Sequence, residues 1–111
     1  MKDDRFYLLH ILDCIQRIEA DTAGGIDSFR ASRTIQDAVI RNLQILAESS
    51  QRLSAQLKSR SSQVEWNRIA AFRNVLVHDY LGLDMERIWV VADRDVAELK
   101  KSIELILREL P

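Results

Sequence analysis

Turn-forming residues are scarce in this chain, whose 111 residues include three glycines and one proline. A small all-β fold needs many tight turns, most of them built on glycine or proline, so this scarcity argues against one. Apolar residues instead recur three and four positions apart over long stretches, which is helical spacing. We therefore predict a single all-α domain over residues 1–111, folded as an antiparallel up-and-down bundle of four to five helices.

Capping and breaking residues set the expected limits of the first helix. Asp3 or Asp4 can cap its beginning, and the pair Gly24–Gly25 ends it. A short turn is then expected to start at Asp27 or Ser28.

The rest of the chain divides in the same way. Ser32 can cap a second long helix, and the serine-rich residues 54–63 that follow are predicted to be a frayed helix end and a loop. A third helix is predicted from about Glu65 to about Tyr80, before the break at Gly82. Asp84 then caps a last helix that continues to the end of the sequence.

Charge gives no overall attraction to nucleic acid, because the formal net charge is −1 and the pI is about 6.1. Residues 28–60 nevertheless carry six basic side chains against two acidic ones. A local basic face is therefore conceivable, although helices usually expose charges of mixed sign. The six residues are Arg30, Arg33, Arg41, Arg52, Lys58 and Arg60.

Cysteine usage and hydropathy favour a cytoplasmic protein. The single Cys14 excludes an intramolecular disulfide. The longest uncharged run, residues 6–12, falls far short of the roughly 18 residues that span a bilayer, and no signal peptide opens the chain. His10 and Cys14 could share a metal, but no further ligand at zinc spacing follows. We expect neither metal nor cofactor.

Arg73 is the unusual residue of the third helix, because it falls inside the apolar stripe. At about 100° per residue, Ile69 lies about 40° to one side of it and Val77 about 40° to the other. A guanidinium in that position needs an anion or a wet cleft, since breaking a buried ion pair costs about 3–5 kcal/mol. The anion is either an acidic side chain, for instance Glu48 or Asp37 of the second helix, or a phosphate, which the arginine fork suits.

His78 does not share a face with Arg73. The two residues lie about 140° apart on an ideal helix, with His78 on the side of Asn74. Either the helix loosens near His78, or a site is assembled from two copies of the helix in a twofold dimer.

An arginine and a histidine together suit cleavage of RNA by its own 2′-hydroxyl. Histidine can transfer a proton near neutral pH, and arginine can stabilise charge that develops on phosphorus. This reaction requires no metal. A helical histidine can equally be an ordinary surface or core residue, and spacing alone does not choose between these interpretations.

The segment "RNVLVHDY" resembles the R-x4-H-x-Y signature of the HepT-like toxins in the HEPN superfamily. Arg73, His78 and Tyr80 match the three motif positions, with Asn74 as the polar residue after the arginine. Further segments, such as "YLLHILDCIQRIE" and "DMERIWVVADRDVAELK", resemble the same family along nearly the whole chain.

The resemblance implies a homodimeric helical bundle that acts as a metal-independent endoribonuclease, the toxin of a type II toxin–antitoxin system. Arg73 would bind or stabilise the scissile phosphate, His78 would be the acid or base, and Asn74 would orient one of them. Tyr80 matches the residue that a partner minimal nucleotidyltransferase of the MntA type adenylylates. The added nucleotide would block RNA by its bulk and negative charge.

Two other interpretations stay open. The chain could be a non-catalytic helical dimer that binds and regulates a nucleotidyltransferase, with Arg73 in a structural ion pair. It could also be a helical domain that binds a nucleotide.

Overall fold

The computed structural model describes residues 3–111, and for Tyr80 the backbone alone. This part of the chain contains helices and no β-strand, which confirms the predicted all-α bundle. The helices are α1 (Asp4–Asp21), α2 (Ile26–Ala31), α3 (Arg33–Gln51), α4 (Ala55–Arg60), α5 (Trp66–His78), α6 (Met85–Val90) and α7 (Val96–Glu109). None of them has both the length and the apolarity needed to cross a bilayer.

Helix α3 is the central element of the bundle. Helix α1 packs along one side of it and α5 along another, while α7 packs against α1. The predicted apolar stripes form the core, and each large aliphatic residue buried there contributes about 1.5–3 kcal/mol. The fully buried aliphatic side chains of α1, α3 and α7 are Leu8, Ile11, Ile15, Ile18, Val39 and Ile103.

The last predicted helix is interrupted by one local irregularity. A five-residue π-helical segment, Val91–Asp95, joins α6 to α7, and the backbone stays helical across both junctions. Asp84 caps α6 as predicted, its side chain accepting a hydrogen bond from the backbone N–H of Glu86 at 3.0 Å. A π-helical turn shifts the phase of the side chains that follow it.

Helix α4 corrects the prediction of a loop over residues 54–63. The hydroxyl of Ser54 accepts a hydrogen bond from the backbone N–H of Leu57 at 3.1 Å, which caps the helix. The same residue donates from its N–H and its hydroxyl to the carboxylate of Asp4 at 2.8 and 2.7 Å. Leu57 is buried. Since Asp4 lies fifty residues earlier in the chain, no local pattern could show this contact.

Helix α2 replaces the short turn that was predicted at Asp27 or Ser28. It starts from Gly25, whose φ of 89° lies in the region that favours glycine. The reversal brings Phe29 into the core, where its ring lies 5.4 Å from that of Trp89.

An ion pair with two hydrogen bonds fastens α2 to α6. Arg30 donates from Nε to one carboxylate oxygen of Glu86 at 2.9 Å and from Nη2 to the other. These bonds hold the pKa of Glu86 below its ordinary value and raise that of Arg30.

Candidate functional site

Helix α5 carries the motif and is regular through His78. Beyond that residue, the N–H of Asp79 still donates to the carbonyl of Val75 at 2.9 Å. The helix therefore does not loosen before His78, and the first of the two predicted ways of joining Arg73 and His78, the one within a single chain, is excluded. On a regular helix their side chains remain about 140° apart.

The helix ends earlier than predicted. Residues Tyr80–Gly82 form a 3₁₀ turn after α5, so an ideal α-helical angle no longer applies at Tyr80. The prediction about the Tyr80 side chain falls outside the part that the structure describes.

Arg73 lies between α5 and α3, as its place in the apolar stripe requires. Its side chain is 29% exposed, and its Nη2 is 3.8 Å from Oε1 of Glu48. The expectation of an anion on the second long helix is confirmed for Glu48, and the ion pairs formed within the described residues do not include one between Arg73 and Asp37.

The hydrogen bonds of Arg73 are few and long. Nη1 donates to Oδ1 of Asn74 at 3.4 Å. Nε is buried and has no acceptor among the described residues. The guanidinium is thus neutralised by a nearby carboxylate while most of its five donors make no strong bond.

Glu48 is itself held by a neighbour that sequence reasoning missed. Oε1 of Glu48 accepts a hydrogen bond from Nε2 of Gln44 at 3.3 Å. The two residues are four apart on α3, a spacing that places side chains side by side on a helix. The four-residue spacing in the sequence indicates the contact between Gln44 and Glu48, but it shows no role for Gln44 until Glu48 is known to face Arg73.

His78 and Asn74 are exposed on the outer part of α5. Asn74 accepts a long hydrogen bond from its neighbour Arg73, whereas the side chain of His78 forms neither a hydrogen bond nor an ion pair with any residue that the structure describes. One chain therefore brings Arg73, Asn74 and Glu48 together and leaves His78 facing solvent.

The basic side chains of residues 28–60 have different surroundings in the structure. Arg30 is engaged by Glu86. Arg41 and Arg52 are exposed, and neither enters any ion pair made within residues 3–111. Arg41 lies on α3 and Arg52 caps its C-terminal end, about 20° and 40° from Glu48 around the helix axis. These two cations therefore share the exposed face on which Glu48 meets Arg73.

His10 and Cys14, the alternative metal pair, have other roles. Nδ1 of His10 lies 2.8 Å from the hydroxyl of Ser49, a contact that joins α1 to α3. Cys14 is 2% exposed in the core, and this burial raises the pKa of its thiol, so the metal-binding thiolate is disfavoured.

A groove of about 600 Å³ runs between α5 and the α6–α7 rod, with α3 as its floor. Val75 on one wall and Val90 on the other are both 45% exposed. Neither Arg73 nor His78 lines the groove. Its larger apolar lining residues are Leu43, Leu46, Val64, Ile69, Phe72, Val75, Val90, Val91, Val96 and Leu99.

The described residues thus form an all-helical bundle in which Arg73 and Asn74 lie beside the carboxylate of Glu48 and a histidine follows five residues after the arginine. The family model described as "Ribonuclease HepT-like" matches residues 11–106. The chain belongs to this HepT-like ribonuclease family.

Several relatives match over most of the chain. A Methanocaldococcus jannaschii protein named "Gamma-glutamylcyclotransferase and putative RNase" is 36% identical over 98% of this chain, which spans half the length of that protein. A Caldanaerobacter subterraneus protein named "Putative RNase" is 32% identical over 98% of both chains. A "Probable ribonuclease HepT" of Thermococcus cleftensis is 31% identical over 88% of this chain and 90% of its own. No solved structure gave a significant match.

Proposed function

We propose that this protein is an endoribonuclease that cleaves RNA without a metal and serves as the toxin of a cytoplasmic toxin–antitoxin system. The observation that carries the proposal is Arg73, a partly buried arginine whose charge is balanced by Glu48 at 3.8 Å while its donors stay largely unused. Because the chain belongs to the HepT-like ribonuclease family, we assign this arginine a role in the cleavage of RNA.

The proposed reaction is an internal transesterification. A base removes the proton of a ribose 2′-hydroxyl, the 2′-oxygen attacks the adjacent phosphorus, and the 5′-oxygen of the next nucleotide leaves with a proton from an acid. The products are a 2′,3′-cyclic phosphate and a 5′-hydroxyl. His78 supplies the acid or the base, and Arg73 stabilises the extra negative charge on the phosphoryl oxygens.

A second copy of the chain completes the proposed site. The regular α5 keeps Arg73 and His78 of one chain on different faces, so we propose that a twofold dimer brings the His78 of one protomer to the Arg73 of the other. Exposed Arg41 and Arg52, on the face of Glu48, would add contacts to RNA phosphates.

Control by a nucleotidyltransferase of the MntA type forms the last part of the proposal. The Tyr80 hydroxyl would attack the α-phosphorus of ATP, with pyrophosphate as the leaving group. Its backbone lies two residues beyond His78. A nucleotide added there would carry negative charge close to the motif and repel RNA.

The test is cleavage of RNA by the purified protein in excess chelator, compared with a His78→Ala variant. We expect cleavage by the wild type and a loss on the order of 10²- to 10⁴-fold in the variant. His10→Gln is the matched control, because its ring is engaged by Ser49 and it takes no part in the reaction. The proposed mechanism would be wrong if the wild type and His78→Ala cleaved RNA equally, or if chelator alone abolished cleavage.

The non-catalytic dimer that regulates a nucleotidyltransferase is the second candidate, because the Arg73–Glu48 pair exists. It requires the pair to stabilise the fold, so Arg73→Ala should lower the melting temperature markedly. The 3.8 Å separation gives this candidate less support, since it exceeds the range of a hydrogen bond.

A further inference from the structure

The negative charge of Glu48 lies close to the guanidinium of Arg73, but the two side chains form no hydrogen bond with each other. Nη2 of Arg73 and Oε1 of Glu48 are 3.8 Å apart, whereas N–H···O bonds span about 2.7–3.2 Å. A carboxylate that bonded to the arginine fork would occupy the donors that a phosphate needs. At the observed distance it neutralises the guanidinium and leaves the terminal Nη2 donor without a short hydrogen bond.

Glu48 is fixed on a rigid part of the molecule. Its neighbours Ala47 and Ser49 are both buried, so this part of α3 cannot shift without disturbing the core. Its carboxylate also accepts a hydrogen bond from Gln44. A negative charge held in this way defines where the guanidinium rests before RNA arrives.

We infer that Glu48 is a positioning residue for the RNA-cleaving site: its negative charge holds Arg73 in place, and its distance keeps the terminal Nη2 donor of the arginine free for the scissile phosphate. The inference rests on the proposed ribonuclease function. It makes charge, rather than shape, the property of Glu48 that matters.

Two substitutions separate charge from shape. Glu48→Gln keeps the size of the side chain and removes the charge, whereas Glu48→Asp keeps the charge and withdraws it by about 1.5 Å, one carbon–carbon bond. We expect Glu48→Gln to lower kcat on the order of 10-fold, because a misplaced catalytic group slows the chemical step. Its KM should stay level or fall, since Arg73 is no longer neutralised. Glu48→Asp should retain most of kcat.

The matched control is Glu19→Gln, which removes a similarly half-exposed glutamate paired with Lys100 at 3.1 Å across α1 and α7. Its kcat and KM should equal those of the wild type. If Glu48→Gln cleaves as fast as the wild type, or if Glu48→Asp is the more damaged variant, the side chain acts by packing and the inference is wrong.

A readout without RNA separates this inference from the proposed function. The ¹⁵N relaxation of the Arg73 Nε–H should report a rigid side chain in the wild type and in Glu48→Asp, and a mobile one in Glu48→Gln. Mobility in Glu48→Gln combined with no RNA cleavage by the wild type would uphold the positioning of Arg73 and overturn the ribonuclease function. Cleavage combined with an equally rigid Arg73 in all three proteins would overturn the inference alone.

Discussion

Two arginine–glutamate pairs in this protein use the same side chains in opposite ways. Arg30 and Glu86 are 50% and 56% exposed and form two hydrogen bonds. Arg73 and Glu48 are 29% and 36% exposed, and their charged atoms come no closer than 3.8 Å. The more exposed pair thus forms two hydrogen bonds between its side chains, whereas the more buried arginine, Arg73, forms none with its glutamate. A buried donor without an acceptor costs free energy, and this cost falls on Arg73 through its Nε.

Helix dipoles reinforce this difference. Arg30 lies in the last turn of α2 and Glu86 in the first turn of α6, where each charge is favoured by its helix dipole. Glu48 lies within the last turn of α3, where the dipole opposes a negative charge. Glu48 therefore does not stabilise α3 through the helix dipole. We attribute the glutamate at this position to Arg73, whose positive charge needs a negative charge nearby.

The largest effect should come from removing each arginine in turn. Arg73→Ala is expected to lower kcat/KM for RNA cleavage on the order of 10²- to 10³-fold, the usual cost of losing a donor that stabilises transition-state charge. Arg30→Ala should leave kcat/KM within about twofold, since surface ion pairs contribute little. Initial rates on a labelled RNA measure both. Equal losses in the two variants would erase the proposed distinction between the pairs.

Mixing two inactive variants tests whether the Arg73 site needs a second chain. Arg73→Ala and His78→Ala should each be inactive as homodimers. After unfolding and refolding together in equal amounts, about half of the dimers are mixed and each restores one of two composite sites, so about a quarter of wild-type activity returns. Arg73→Ala mixed with Arg73→Ala/His78→Ala is the control and should stay inactive. No recovery in the first mixture would indicate a site within one chain.

The helix that carries Arg30 can be perturbed through its backbone. Gly25→Ala is expected to lower the free energy of unfolding by about 1–3 kcal/mol, because alanine is strained at a φ of 89°. No atom lies within 4 Å of the added methyl group, so the cost would come from the backbone alone. Urea denaturation measures it, and RNA cleavage by the folded variant should persist. An unchanged urea midpoint would mean that α2 can start without this conformation.

The smallest effect concerns pH and the Arg30–Glu86 pair. The pKa of Glu86 is lowered, chiefly by its hydrogen bonds from Arg30. A carboxylate with a lower pKa in the folded state adds stability above its ordinary pKa, and this contribution is lost as the pH falls through the folded value. Carboxyl NMR titration should show a low pKa for Glu86 in the wild type and a return towards the ordinary value in Arg30→Ala. An unmoved titration would show that Arg30 is not the cause.

Most of the fold could be predicted from the sequence because helices depend on local information. The caps at Asp3, Ser32 and Asp84 are all present, and the apolar stripes are buried as their spacing requires. The short helix α4 could not be predicted, because its capping residue, Ser54, is held by hydrogen bonds to Asp4, which lies fifty residues earlier in the sequence.

For the candidate site, the residue order was enough to show that Arg73 needs an anion and that a regular helix separates it from His78, since both follow from about 100° per residue. It could not choose between Asp37 and Glu48. These residues lie within about 20° of each other on α3 but about 16 Å apart along its axis. The packed bundle places Glu48 beside Arg73, because the choice depends on how far α5 is shifted along α3, and core packing between the helices sets that shift.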